Sequence, residues 1–222
     1  MNKASKYQSA IIIFFTTACI IASYEFKLLH FSFPGGQALV LLISLLLGNY
    51  VGSVLSSFTL NIECFRYALL GNLFIEGCWS VKTYEGKDKI RSEALVIISY
   101  NGDLMMPTVT AYEIRPTGLV FSVSKDAFLR EGDLSFINYF YSSGADGNIL
   151  GVAIGNFYMS SKGRSPQRYE GKLFYLSESK SSQLYREIGI KLTKSTVQEY
   201  QKTHREKWIE AYLEENGRFE AR

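Results

Sequence analysis

The chain has 222 residues, 47% hydrophobic and 20% charged, with a net charge of +3, and its mean hydropathy of +0.01 hides an uneven distribution. Three cysteines (Cys19, Cys64, Cys78) with no C-x-x-C spacing exclude a disulfide framework and fit a reducing compartment. Setting Lys3, Lys6, Lys27 and Glu25 aside from the totals of 24 basic and 21 acidic residues leaves 21 and 20 in the rest of the chain, a balance that excludes a polymeric nucleic-acid binder.

No formal charge occurs among the 18 residues between Lys6 and Glu25, or among the 32 between His30 and Glu63, so two membrane spans are expected. The first, over about 7–24, is roughly 27 Å long as a helix at about 1.5 Å per residue. Bulky Tyr24-Glu25-Phe26-Lys27 follows it where a signal peptide would carry a small-residue cleavage site, so the segment reads as a retained span. Pro34-Gly35-Gly36 marks a turn, and a leucine-rich second span follows over about 38–60, giving a transmembrane hairpin at 1–62.

Within the second span Ser44, Gly48, Gly52 and Ser56 recur every fourth residue and share one helix face. That stripe either drives self-association into a homo-oligomer or packs against the first span. Asn49 reads as a helix–helix hydrogen-bonding residue. Lys3, Lys6, Arg66 and Lys82 flank the hairpin, whereas its connection has only Lys27 against Glu25; the positive-inside rule then puts both termini in the cytoplasm.

Residues 63–222 suffice for one domain. Strand-like runs appear at Cys78–Tyr84, Ala94–Tyr100, Thr108–Ile114, Leu119–Ser124, Leu134–Tyr141, Ile149–Met159 and Tyr169–Leu176, with an eighth around Ile188–Thr193. Turn chemistry separates them, including Glu85-Gly86-Lys87-Asp88, Asn101-Gly102-Asp103, Arg115-Pro116-Thr117-Gly118, Gly144–Gly147 and Lys162–Pro166. The expected fold is membrane-anchored all-β, a small up-and-down, lipocalin-like barrel of about eight strands. Ser195-Thr-Val-Gln198 fits a capping box, and Val197, Tyr200, His204, Trp208, Ala211 and Tyr212 form the stripe of a C-terminal helix over about 195–216.

Catalytic and metal-binding patterns are missing. The two histidines, His30 and His204, lie outside the strand region, and no H-x-x-x-H, G-x-S-x-G, Walker-type or G-x-G-x-x-G pattern occurs, so no enzyme, metal or cofactor is expected. Asp126, Glu131 and Asp133 read as a solvated loop in preference to a carboxylate site. Tyrosine is abundant on the strands, and an eight-stranded barrel has room for packed side chains or one small ligand.

Gly77-Cys78-Trp79, opening the first strand, resembles the lipocalin opening, in which the tryptophan plugs one barrel end. The whole layout, a two-helix hairpin over 7–62, a minimal barrel opened by Gly77 and Trp79, and a charged terminal helix, resembles the two-transmembrane effectors of bacterial CBASS anti-phage systems, the CD-NTase-associated protein fifteen family. That resemblance implies a cytoplasmic barrel binding a cyclic dinucleotide from a partner nucleotidyltransferase. It also implies oligomerisation, disruption of the inner membrane by the spans, and abortive infection. It is architectural and carries over no individual site residue. The alternative is a membrane-tethered carrier or sensor of a small hydrophobic ligand.

A cyclic dinucleotide needs aromatic faces, base-edge partners and cations for its phosphates. Stacking at about 1–3 kcal/mol per base falls short of the roughly 8 kcal/mol of micromolar binding, so cations must contribute. Candidates for stacking or packing are Tyr100, Tyr112, Tyr139 and Tyr158; for base edges, Thr110 and Asn138; for phosphate, Arg168 and Lys172, each of which reads equally as a surface salt-bridge residue.

Overall fold

The computed structural model describes residues 3–25, 36–86, 89–100, 107–115, 118–130, 134–142, 151–160, 165–175 and 184–216. It divides into two compact units, met in turn along the chain near Leu70 and Gly71.

The first unit holds α1 (Lys3–Glu25), α2 (Gly36–Asn61) and the short α3 (Glu63–Leu70). Lys6–Glu25 and Gly36–Asn61 are both long and apolar enough to cross a membrane. Their packing is the reverse of a water-soluble helix pair. Leu42, Leu46 and Tyr50 of α2 face outward, while Ser44, Gly48, Gly52 and Ser56 are buried. The small residues form the seam with α1: a Cβ on Gly48 would collide with the backbone of Thr16, and one on Gly52 would lie 2.8 Å from Cα of Ile12. Ser23 and Ser44 hydrogen-bond across the seam, and the Tyr7 hydroxyl donates to Oγ1 of Thr59 at 3.1 Å, which makes the pair antiparallel. Asn49 lies on the exposed side of α2 and accepts from Ser53 of its own helix, so it makes no bond to α1. The guanidinium of Arg66 in α3 is buried and donates to the carbonyl of Leu60, satisfying an orphan acceptor at the end of α2.

The second unit is a closed antiparallel barrel of eight strands in sequence order. The strands are β1 (Gly77–Glu85), β2 (Lys89–Tyr100), β3 (Pro107–Arg115), β4 (Gly118–Leu129), β5 (Ser135–Ser142), β6 (Gly151–Met159), β7 (Pro166–Tyr175) and β8 (Leu184–Lys191), with β8 pairing back onto β1. Closure leaves no strand edge unpaired. β4 runs five residues past the expected Ser124 because a bulge between Ser124 and Asp126 absorbs the polar interruption, so the backbone of Asp126 pairs with Tyr139 in the sheet. Glu131, Asp133 and most of the expected turn residues lie outside the described residues. Gly77 and Gly86 adopt φ of 135° and 73°, conformations that favour glycine at the first strand's entry and in the turn after it.

One barrel end is plugged from within. The Trp79 ring, 1% exposed, donates from Nε1 to the carbonyl of Ile75 at 2.9 Å and meets Phe157 edge-on at 5.0 Å. Tyr100 stacks on Phe74 and donates its hydroxyl to the carbonyl of Leu73 at 2.8 Å, and Nζ of Lys191 sits 5.2 Å from the Phe74 ring and 5.6 Å from Trp79. Residues 73–75 thereby form a floor held by the strands above it.

The C-terminal stripe forms two helices in place of one. Thr193, two residues before the expected cap, accepts from the Thr196 N–H at 3.2 Å and opens α4 (Lys194–His204). Arg205 then takes φ of 49° and breaks the helix, which redirects α5 (Trp208–Asn216) so that Tyr212 and Leu213 bury against Leu95, with Cys78, Tyr112 and Ile114 around them. No side chain of α4 is fully buried, although Tyr200 meets Tyr212 edge-on at 5.3 Å, and α5 covers the outside of the barrel. Burial beneath α5 pushes the Cys78 thiol up to about 11, so it is neutral at physiological pH.

Candidate functional site

The barrel interior contains a cavity of about 100 Å³, lined by Trp79 at the plugged end and by Val120, Ser122 and Tyr175 toward the other. This is below the about 150 Å³ at which an apolar protein cavity takes up benzene, and far below the roughly 300–1,000 Å³ of a pocket for a drug-sized molecule. The space admits the edge of a ring and is smaller than a whole one. Side chains of odd number on β1, β3, β6, β7 and β8 and of even number on β2 and β5 face it, as strand alternation requires.

Phe136, Phe157 and Tyr169 form its aromatic wall, with centroids 5.2–6.2 Å apart. Tyr169 owes its position to inward glycines. A Cβ on Gly155 would lie 2.7 Å from the Tyr169 ring, one on Gly189 3.2 Å from its Cβ, and one on Gly171 would collide with its hydroxyl. Spread over these bare backbones, Tyr169 donates its hydroxyl to Oε2 of Glu187 at 3.4 Å.

Glu187 is the unusual group. Its carboxyl is buried on β8, and desolvation raises its pKa from 4.5 to about 7, with the nearby Glu113 adding to the rise and the Tyr169 hydrogen bond opposing it. Burial and the Glu187 charge in turn hold the Tyr169 hydroxyl well above 10, so it stays a donor. Glu113, also on the lining, accepts from the Ser92 hydroxyl at 3.2 Å. Asn138 is 6% exposed and its Oδ1 has no hydrogen-bond partner among the described residues. The lumen is therefore aromatic, acidic and rich in acceptors. No group of three or more His, Cys, Asp or Glu side chains suited to a metal occurs among the described residues.

Of the eight residues proposed from sequence, the structure places two on the interior side: Asn138 in the cavity lining and Tyr100 in the plug. Thr110 alternates with the lining residues Val109 and Ala111, and Tyr112 packs beneath α5. Tyr139 alternates with Asn138 and Phe140 of the lining, and Tyr158 is 45% exposed. Arg168 forms a surface ion pair with Glu170, its side chain 56% exposed. Lys172 lies on the same outer wall, opposite Arg186 of β8 and beside Tyr158 in an external groove of about 570 Å³. Thr110, Tyr112, Tyr139, Tyr158, Arg168 and Lys172 are thus not brought together with Asn138. Ser44, Gly48, Gly52 and Ser56 do share one face, and α1 of the same chain occupies it.

Sequence reasoning passed over Glu113, Tyr169 and Glu187 as a group, and also Arg91, whose guanidinium lies 4.1 Å from the Tyr185 ring centroid at the barrel end away from Trp79. The available signal was parity: glycines at 155, 171 and 189 share a face with one large ring, which marks the inside.

No family model matches the sequence, and no curated protein matches it either. The class of molecule is fixed by architecture: an eight-stranded closed barrel with an internal cavity, following two helices long enough to span a bilayer.

Proposed function

We propose that this chain is a membrane-tethered sensor of the CBASS effector type. The barrel binds a cyclic dinucleotide made by a partner nucleotidyltransferase, and binding drives assembly of the chain and disruption of the bacterial inner membrane by its two apolar helices, with both termini and the barrel in the cytoplasm. The observation that carries this reading is an acceptor-rich, aromatic-walled cavity inside a closed barrel, in a chain with two bilayer-length helices.

The cavity's size decides how such a ligand sits. About 100 Å³ admits the edge of one base and not the whole ligand. Glu113 and Glu187 repel phosphate, so the cyclic backbone stays at the barrel end away from Trp79, where Arg91 lies over Tyr185. Because α1 fills the small-residue seam, assembly runs through surfaces outside it. The ligand promotes assembly only by binding the assembled form more tightly than the single chain. The largely apolar lining supports a second reading, a carrier of a small hydrophobic ring; the buried acids argue against a fatty-acid carboxylate.

Calorimetric titration of the full chain in detergent micelles with cyclic di- and trinucleotides and a fatty acid tests this. Saturable binding of one cyclic dinucleotide is expected. A folded chain that binds none of the nucleotides, or binds the fatty acid alone, overturns the sensor reading.

A further inference from the structure

Hydrogen-bonding groups in the lumen are unbalanced, and the imbalance indicates what part of a ligand enters. Glu187 and Asn138 line the cavity from β8 and β5. The Tyr169 hydroxyl already points its proton at Glu187. Oδ1 of Asn138 is buried with no donor among the described residues. A buried acceptor in that state has lost its water without gaining a replacement.

Both acceptors border the cavity and have small neighbours across the sheet. Asn138 pairs across the sheet with Ala127 on one side and Ala153 on the other, so its cross-strand neighbours present methyl groups, with Phe136 and Phe140 along its own strand. Glu187 pairs with Thr83 and Gly171; the Tyr169 hydroxyl covers Gly171, and the small Thr83 flanks Glu187 on the other strand. Phe136, Phe157 and Tyr169 supply the faces against which a ring can lie.

We propose that the lumen recognises the N–H edge of a single flat ring, with Oδ1 of Asn138 and the Glu187 carboxylate as the accepting groups. A carboxylate takes two parallel N–H donors, so the edge it fits best presents adjacent donors, as a guanine-type base or an aromatic amidine does. Anionic rings are excluded by Glu113 and Glu187 together. The sensor reading matters here only for the ring's source, because a base of a cyclic dinucleotide and a free amidine share this chemistry.

The experiment uses the full chain in micelles at about pH 8.5, where the Glu187 carboxyl is ionised, with four probes: benzamidine, toluene, cyclic di-GMP and cyclic di-UMP. Benzamidine is expected to bind more tightly than toluene, and cyclic di-GMP more tightly than cyclic di-UMP. Glu187→Gln and Asn138→Leu should each weaken benzamidine and cyclic di-GMP by about 10- to 100-fold, as expected for a lost hydrogen bond to a charged or buried acceptor. Asn138→Leu has a second readout that separates recognition from packing: removing an unpartnered buried amide raises the unfolding temperature while affinity falls.

Benzamidine binding that both variants weaken, with no response to either nucleotide, supports this inference and removes the sensor reading. Cyclic di-GMP binding unchanged in both variants overturns the inference and leaves the sensor reading standing. Toluene binding as tightly as benzamidine, no binding by any probe, or an Asn138→Leu chain that loses stability also overturns it.

Discussion

Glu187→Gln changes how barrel stability depends on pH. Burial and Glu113 raise the Glu187 pKa from 4.5 to about 7 against the opposing Tyr169 hydrogen bond. With the folded value above the unfolded one, the folded state holds the proton more tightly. Its contribution to stability is complete below about pH 4.5 and is lost as pH rises through about 7. The displacement from 4.5 to about 7, at about 1.36 kcal/mol per pH unit, amounts to about 3 kcal/mol. Glutamine resembles the protonated acid in shape and still accepts from Tyr169, so the variant matches wild type near pH 4.5 and exceeds it by about 3 kcal/mol at pH 8.5. Guanidinium unfolding of the full chain in micelles, followed by the fluorescence of buried Trp79, reads the difference at each pH. Parallel curves for the two proteins, or a wild type that gains stability relative to the variant between pH 5 and 7, would refute the assignment of Glu187 as a buried, proton-holding acid.

Trp79→Ala empties the plug, and the loss of a fully buried ring bonded to Ile75 costs about 3–5 kcal/mol, against a much smaller loss for Trp79→Phe; equal losses in denaturant titration would mean that the indole's volume and hydrogen bond contribute little. Gly48→Leu forces a side chain into the backbone of Thr16, so disulfide cross-linking of an S23C/S44C pair, efficient in the parent hairpin, should fail in the variant while the barrel's unfolding transition is unchanged; undiminished cross-linking would show that the seam tolerates bulk.

Much of the architecture was legible in the sequence because it rests on signals along the chain. Charge-free stretches of 18 and 32 residues mark the helices, and turn chemistry between strand runs marks an antiparallel meander. The extra length of β4 was hidden because Lys125 and Asp126 look like a loop, whereas a bulge carries them within the strand. The break at Arg205 was hidden for a different reason: a continuous apolar stripe does not record that only its second half meets the barrel.

The interior was harder to read because alternation gives two faces without saying which is inner. Tyr112 is apolar on the outer face of β3 because α5 covers it there, so a hydrophobic parity at that strand marks the helix contact. Glu113 and Glu187 carry charges that ordinarily face water, yet each lines the lumen, and Glu187 is buried with a tyrosine beside it. Adjacent Asn138 and Tyr139 are both candidates by sequence, and only Asn138, which shares parity with Phe136 and Phe140, faces the lumen.

The central claim joins ligand binding in the barrel to damage at the bilayer, and dye release from phosphatidylethanolamine–phosphatidylglycerol vesicles carrying the full chain tests it most directly. On addition of the cyclic dinucleotide that the titration identifies, the account predicts release that rises with occupancy of the barrel and disappears with Asn138→Leu at the same ligand concentration. Saturated binding with intact vesicles would contradict it.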